Sequence, residues 1–143
     1  MKTKRFILSL LMPVFMATTC ELDENCTKNS HNGLTVKNET TARIQFEFYW
    51  NHPDTAIGEY NPVNNITGGL GQGETFTRGA GPGSCWESVL LDDKKEWIYI
   101  FDADTLKNLS WDIVRKTNRG LIRRIEIDRE YLIQNDFTVT VSQ

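Results

Sequence analysis

The chain has 143 residues, with 16 Lys and Arg against 19 Asp and Glu and a formal charge of −3. That length suits one domain of ordinary size, and that balance argues against a general nucleic-acid binder. The chain has no Cys-x-x-Cys, no HExxH and no His-rich cluster, which speaks against zinc.

The N-terminus is a processing segment. Lys2, Lys4 and Arg5 precede an apolar run from Phe6 to Met16, interrupted by Ser9 and Pro13. Such a run is too short to span a bilayer and suits a secretory signal. It ends in Ala17-Thr18-Thr19-Cys20. Small residues leading to a Cys resemble the lipobox of bacterial lipoproteins, whose Cys takes lipid on its sulfur and becomes the new N-terminus. Thr19 stands where Gly or Ala is usual, and Ala17 where Leu is usual. The expectation is a lipoprotein signal peptide over 1–19 and lipidation of Cys20, with palmitate-type chains. The alternative is an ordinary signal-peptidase site nearby. Several acyl chains anchor durably where one holds only marginally. Three basic residues leave with the signal, so the mature balance is 13 − 19 = −6.

Residues 20–33 read as an acylated polar tether, without aromatics after Cys20. Its Glu21, Asp23 and Glu24 resemble the surface-export signals of lipoproteins in some Gram-negative anaerobes; a solvated linker is the alternative. Cys26 and Cys85 remain. An exported compartment permits a disulfide between them. Cys26 lies in the tether and Cys85 after a Gly-rich loop, so two free thiols are the default expectation and a 26–85 bridge the alternative.

The rest, 34–143, reads as a single β-rich domain. Gly33–Glu39 can form a strand. Arg43–Trp50 alternates, with Ile44, Phe46, Phe48 and Trp50 on one face and Arg43, Gln45, Glu47 and Tyr49 on the other. The turn residues Asn38–Thr41 between them predict a hairpin. Residues 51–70 form a long loop with Pro53 and Pro62, and seven of ten glycines fall between Gly68 and Gly83. A short strand follows Gly73. Trp97–Phe101 is apolar on both faces and reads as the central strand. It runs into Asp102-Ala103-Asp104, read as an Asp-stabilised turn. Ser110 is placed to cap a helix over Trp111–Thr117, closed by Gly120. Leu121–Ile127 is a strand with Leu121, Arg123, Ile125 and Ile127 on one face. Asp128 caps one or two turns, and Phe137–Val141 alternates again. The expected fold is mainly β: an immunoglobulin-like β-sandwich or small barrel with one or two short helices near the C-terminus.

Several of these segments carry a resemblance: YWNHPDT at 49–55, Asn61-Pro62, Cys85-Trp86-Glu87, IFDADTL at 100–106, Ser110-Trp111 and Leu121-Ile122-Arg123-Arg124. They are similar to a family of small, uncharacterised envelope lipoproteins of Gram-negative gut-type anaerobes, most specifically through FDADTL. The resemblance implies an outer-membrane lipoprotein with exposure at the cell surface as an option. It transfers no catalytic residue. Cys85 and the basic 122–124 segment depart from the pattern.

Candidate constellations are few. Asp102 and Asp104, with Asp92 and Asp93, are weighed as Ca²⁺ ligands or an acid–base pair against plain turn chemistry, which is favoured. Cys85 and His52 as a thiol–imidazole pair have no supporting pattern. GLGQG at 69–73 lacks the remainder of a phosphate loop. Trp50, Tyr60 and Trp86 flank the long loops and are candidate ligand-contact aromatics, against a role plugging the core. The basic run 115–129 reads as a solvated face. Asp54-Thr55-Ala56 and Asp104-Thr105-Leu106 resemble an O-glycosylation sequon of such bacteria, with Thr55 the better candidate. The expectation is a non-enzymatic, lipid-anchored envelope protein with a binding or structural role, without metal or cofactor. Its partners are the membrane through the N-terminal lipid and a glycan or envelope protein. The alternatives are a carbohydrate-binding surface module and a Ca²⁺-dependent binding module.

Overall fold

The computed structural model describes residues 26, 27, 30–64 and 68–142. The expected signal peptide over 1–19, Cys20 and residues 21–25 lie outside the described residues. The strands are β1 (Gly33–Asn38), β2 (Ile44–Tyr49), β3 (Thr75–Gly79), β4 (Glu96–Asp102), β5 (Leu121–Ile127) and β6 (Thr138–Val141). The short helices are α1 (Trp86–Val89), α2 (Ala103–Lys107), α3 (Trp111–Thr117) and α4 (Arg129–Gln134). The strands make two three-stranded sheets, β3-β1-β6 and β2-β4-β5. The fold is therefore mainly β, and neither sheet closes, which removes the small-barrel alternative. Among the described residues no helix is long and apolar enough to cross a membrane.

β4 is the centre of its sheet, paired antiparallel with β2 and β5. Its two faces feed two apolar clusters. Ile98 and Ile100 join Ile44, Phe46 and Phe48 of β2, Ile127 of β5, and Leu34, Val36, Val139 and Val141 of the other sheet. Tyr99 and Phe101 join Tyr49, Ile57, Leu106 and Val114 on the opposite face. Expectation and structure agree on this strand, because a strand covered on both sides must be apolar at every position. β2 differs from its expected alternation, in that all six of its residues are buried, Gln45 and Glu47 included. The reason is the segment after it, which folds back over that face. Ile57 enters the second cluster, the Ile57 carbonyl accepts from Arg115 Nε at 3.2 Å, and the Gly58 carbonyl accepts from Trp111 Nε1 at 3.2 Å. A Cβ on Gly58 would run into the Tyr49 ring, so only glycine lets the loop lie this close.

The expected β1–β2 hairpin does not form, since the two strands belong to different sheets. Asn38 turns the chain out of one sheet into the other. Its buried side chain donates to the carbonyls of Ala42 at 2.8 Å and Leu70 at 2.9 Å, and accepts from Thr40 N and Oγ1 at 2.9 and 2.8 Å. β1 pairs instead with β3 antiparallel and with β6 parallel. On β5 the expected face is broken by a bulge. Ile100 lies opposite Arg123 but Phe101 lies opposite Leu121, so Leu121 turns to the second cluster and Ile122 is left exposed.

The helix expectation also needs correction. Four short helices are present among the described residues, and two lie well before the C-terminal stretch. α1 and α2 have four and five residues, too short to show a 3.6-residue period. The acidic turn after β4 is the start of α2: Asp102 Oδ1 accepts from Thr105 N at 2.6 Å, an N-cap. Asp128 caps α4 in the same way, through Tyr131 N at 2.8 Å. Ser110 precedes α3 but makes no side-chain cap bond, and the helix ends at Asn118 in the left-handed conformation, two residues before Gly120.

The two aspartates of this junction thus separate. Asp102→Ala is expected to cost about 1 kcal/mol through the lost cap. Asp104 is exposed and touches Lys107 only at the surface. Asp104→Ala is expected to change stability by less than about 0.5 kcal/mol. Urea midpoints of the two variants check the difference. Ile100→Ala, which empties the shared core, is expected to cost about 2–5 kcal/mol in the same assay.

Candidate functional site

Two surface regions concentrate the side chains that could meet a ligand or partner. The first follows from the β4–β5 register. Trp97 lies opposite Glu126 and Tyr99 opposite Arg124, so these four share the face of the strand pair that carries the second cluster, with Tyr99 buried and the other three partly exposed along its edge. The loop after β2 adds His52, whose ring lies 5.3 Å from Trp97. His52 Nε2 sits 2.9 Å from Glu126 Oε2, and Lys95 Nζ bonds the other carboxylate oxygen. The Lys95 hydrogen bond, then that of His52, holds the Glu126 carboxyl below its usual range. The Arg124 guanidinium stands 5.2 Å from the Tyr99 ring, and Arg124 also donates to Asn118 Oδ1 at 3.0 Å. Trp97 Nε1, Arg124 Nε and Asn51 Oδ1 reach no hydrogen-bond partner among the described residues. Burial pushes the Tyr49 phenol upward, aided by Glu47 and Tyr99, so it stays protonated and donates to the Tyr60 carbonyl at 3.4 Å. This strip has the indole, guanidinium and carboxylate needed to hold a polar partner. The His52–Glu126 hydrogen bond also ties the loop to β5.

The second region lies around α1. Trp86 is buried, with its Nε1 donating to the Arg78 carbonyl at 3.2 Å. Trp50 stacks on it with 6.4 Å between ring centres and an 8° interplanar angle, and remains 54% exposed. Arg78 lies over the Phe48 ring at 4.4 Å, and Phe76 beside Phe46 at 5.5 Å. Glu96, at the start of β4, is fully buried, and neither carboxyl oxygen has a hydrogen-bond partner among the described residues. Nothing in the sequence marks Glu96, since a Glu at a strand entrance reads as a surface residue.

The candidate residues separate on this frame. Trp86 is core and cannot contact a ligand, a correction to its place among the contact aromatics. Tyr60 is 51% exposed but sits on the loop covering the face of β2 opposite Trp50. Trp50 and Tyr60 therefore attach to different faces. Cys85 is bonded to Cys26, with 5.7 Å between their Cα atoms, so the default of two free thiols is replaced by the bridge. That bond also removes Cys85 as a partner nucleophile for His52. Thr55 is exposed in a turn where Asp54 Oδ1 accepts from Ala56 N at 2.9 Å, while Thr105 lies in the first turn of α2. Among the described residues no three His, Cys, Asp or Glu come together to hold a metal ion, so the Ca²⁺ reading gains no support. Cys20 lies outside the described residues.

Glu96 generates a pH prediction. Burial, against the opposing pull of Arg78 and with a further push from Glu47, raises its carboxyl from 4.5 to about 8. The unfolded carboxyl releases its proton near 4.5. Between these values the folded state binds more protons, so stability falls as pH rises and the full penalty stands above 8. That gap corresponds to an upper bound of about 5 kcal/mol. Glu96→Gln is therefore expected to melt close to wild type at pH 5 and well above it at pH 9. Parallel melting curves across that range would refute the assignment.

Comparison with known proteins gives these residues no assigned role, since no family model, curated protein or solved structure matches the chain.

Proposed function

We propose that this protein is a lipid-anchored component of the bacterial cell envelope with a binding or structural role and without catalytic activity. The observation that carries the reading is the Cys26–Cys85 bridge. Disulfides persist in oxidising compartments and are rare in the cytosol, so the bridge supports export. The basic–apolar segment ending at Cys20 supplies the route and the anchor. The resemblance to small outer-membrane lipoproteins points the same way. The finer architecture belongs to the same proposal: the two sheets stack as an immunoglobulin-like sandwich, a reading supported by the apolar cluster to which both contribute. A sandwich of this kind offers faces and edges for partner recognition, and the polar-aromatic strip of Trp97, Arg124 and Glu126 along β4–β5 is one of them.

Cys20→Ala tests the anchor. The variant is expected to move from the membrane fraction to the soluble fraction, and intact-mass measurement should show loss of the acyl chains. A variant that stays in the membrane overturns the reading.

A further inference from the structure

The bridge does more than report on the compartment. Cys26 comes six residues after Cys20, and through Cys85 it is bonded directly to the start of α1. Six fully extended residues reach about 20 Å. A domain of this length has a radius of gyration of about 13 Å, hence a diameter of about 35 Å. A tether shorter than the body it carries cannot let that body turn over. The side of the body bearing the bridge is thereby kept within about 20 Å of the anchor.

That face has the composition of a membrane interface. The residue after Cys85 is Trp86, and Trp50 stacks on it with its other side open. Arg78 lies over Phe48 in the same region, with the exposed Phe76 two residues along the same strand. An exposed indole settles at lipid headgroups, with the ring in the interface. Exposed apolar residues elsewhere, Ile113, Ile122 and Ile133, stand on three different elements and need no such cover.

We infer that the face around the Cys26–Cys85 bridge rests on the lipid bilayer, with Trp50 at the headgroup level and the β4–β5 strip left free for other partners. This inference rests on lipidation of Cys20. It assigns Trp50 to lipid in preference to a soluble glycan or protein.

The test uses the full lipidated protein reconstituted in phosphatidylethanolamine–phosphatidylglycerol vesicles containing brominated acyl chains. Bromine quenches only indoles at the membrane. Wild-type fluorescence is expected to be quenched, and Trp50→Phe to lose most of that quenching while melting as wild type does. Cys26→Ser removes the covalent hold between the N-terminal segment and the start of α1. With a preserved circular dichroism spectrum, this variant is expected to show clearly weaker quenching. A vesicle-bound wild type whose Trp50 is not quenched by lipid but is quenched by soluble acrylamide overturns the orientation while leaving the anchor standing. Equal lipid quenching in Cys26→Ser overturns the role of the bridge. Protein that does not associate with vesicles at all overturns the anchor and the orientation together.

Discussion

The fold depends on one constraint: β4 carries four consecutive large residues, Ile98 to Phe101, with none of their surface left in water. A strand alternates its side chains between two faces, so four in a row demand cover on both. Burial of such side chains contributes about 1.5–3 kcal/mol each. Four together are comparable with the whole net stability of a domain, about 5–15 kcal/mol. The rest of the chain answers that demand. The β3-β1-β6 sheet contributes to the cluster around the isoleucines. On the other face, the loop after β2, with α2 and α3, covers Tyr99 and Phe101. The loop looks like an insertion in the sequence, yet it is the lid of the second cluster.

What could be read in advance follows from the range over which each signal acts. The central strand, the alternation of Phe137–Val141 and the helix over Trp111–Thr117 are written in consecutive residues, and the fold keeps them. The crossing at Asn38 is not legible locally, because turn residues say that the chain reverses, not which sheet it then joins. The deciding bonds of Asn38 go to Ala42 and to Leu70, which is 32 positions away. The polar-aromatic strip was invisible for the same reason. Arg124 and Glu126 look like members of a solvated basic run until the register sets them against Tyr99 and Trp97. Trp50 and Trp86 are one residue type in similar-looking flanks. Only packing makes one a core plug and the other a surface ring.

The polar N-terminal stretch misleads in the opposite direction. Its composition says tether, but its later part belongs to the folded body. His31 stacks on Phe137 at 3.8 Å and its backbone N–H donates to Glu87 at 3.0 Å, while its carbonyl accepts from Trp86 N at 2.9 Å. Low hydrophobicity keeps a segment disordered only when nothing else holds it. Here a covalent bond and a carboxylate do so.

The order of strands in the sheet containing β1 has a kinetic consequence. Thr35 pairs with Thr138, 103 positions later, and β1 lies between β3 and β6. The middle of this sheet is therefore among the first parts of the domain to be synthesised and the last to be completed. Until β6 arrives, one side of β1 is an open edge, the kind of surface that recruits strands from other chains. Contacts this distant in sequence also form slowly. A chain emerging N-terminus first, from a ribosome or across a membrane, must therefore keep β1 apart from its neighbours until nearly all of the domain has followed.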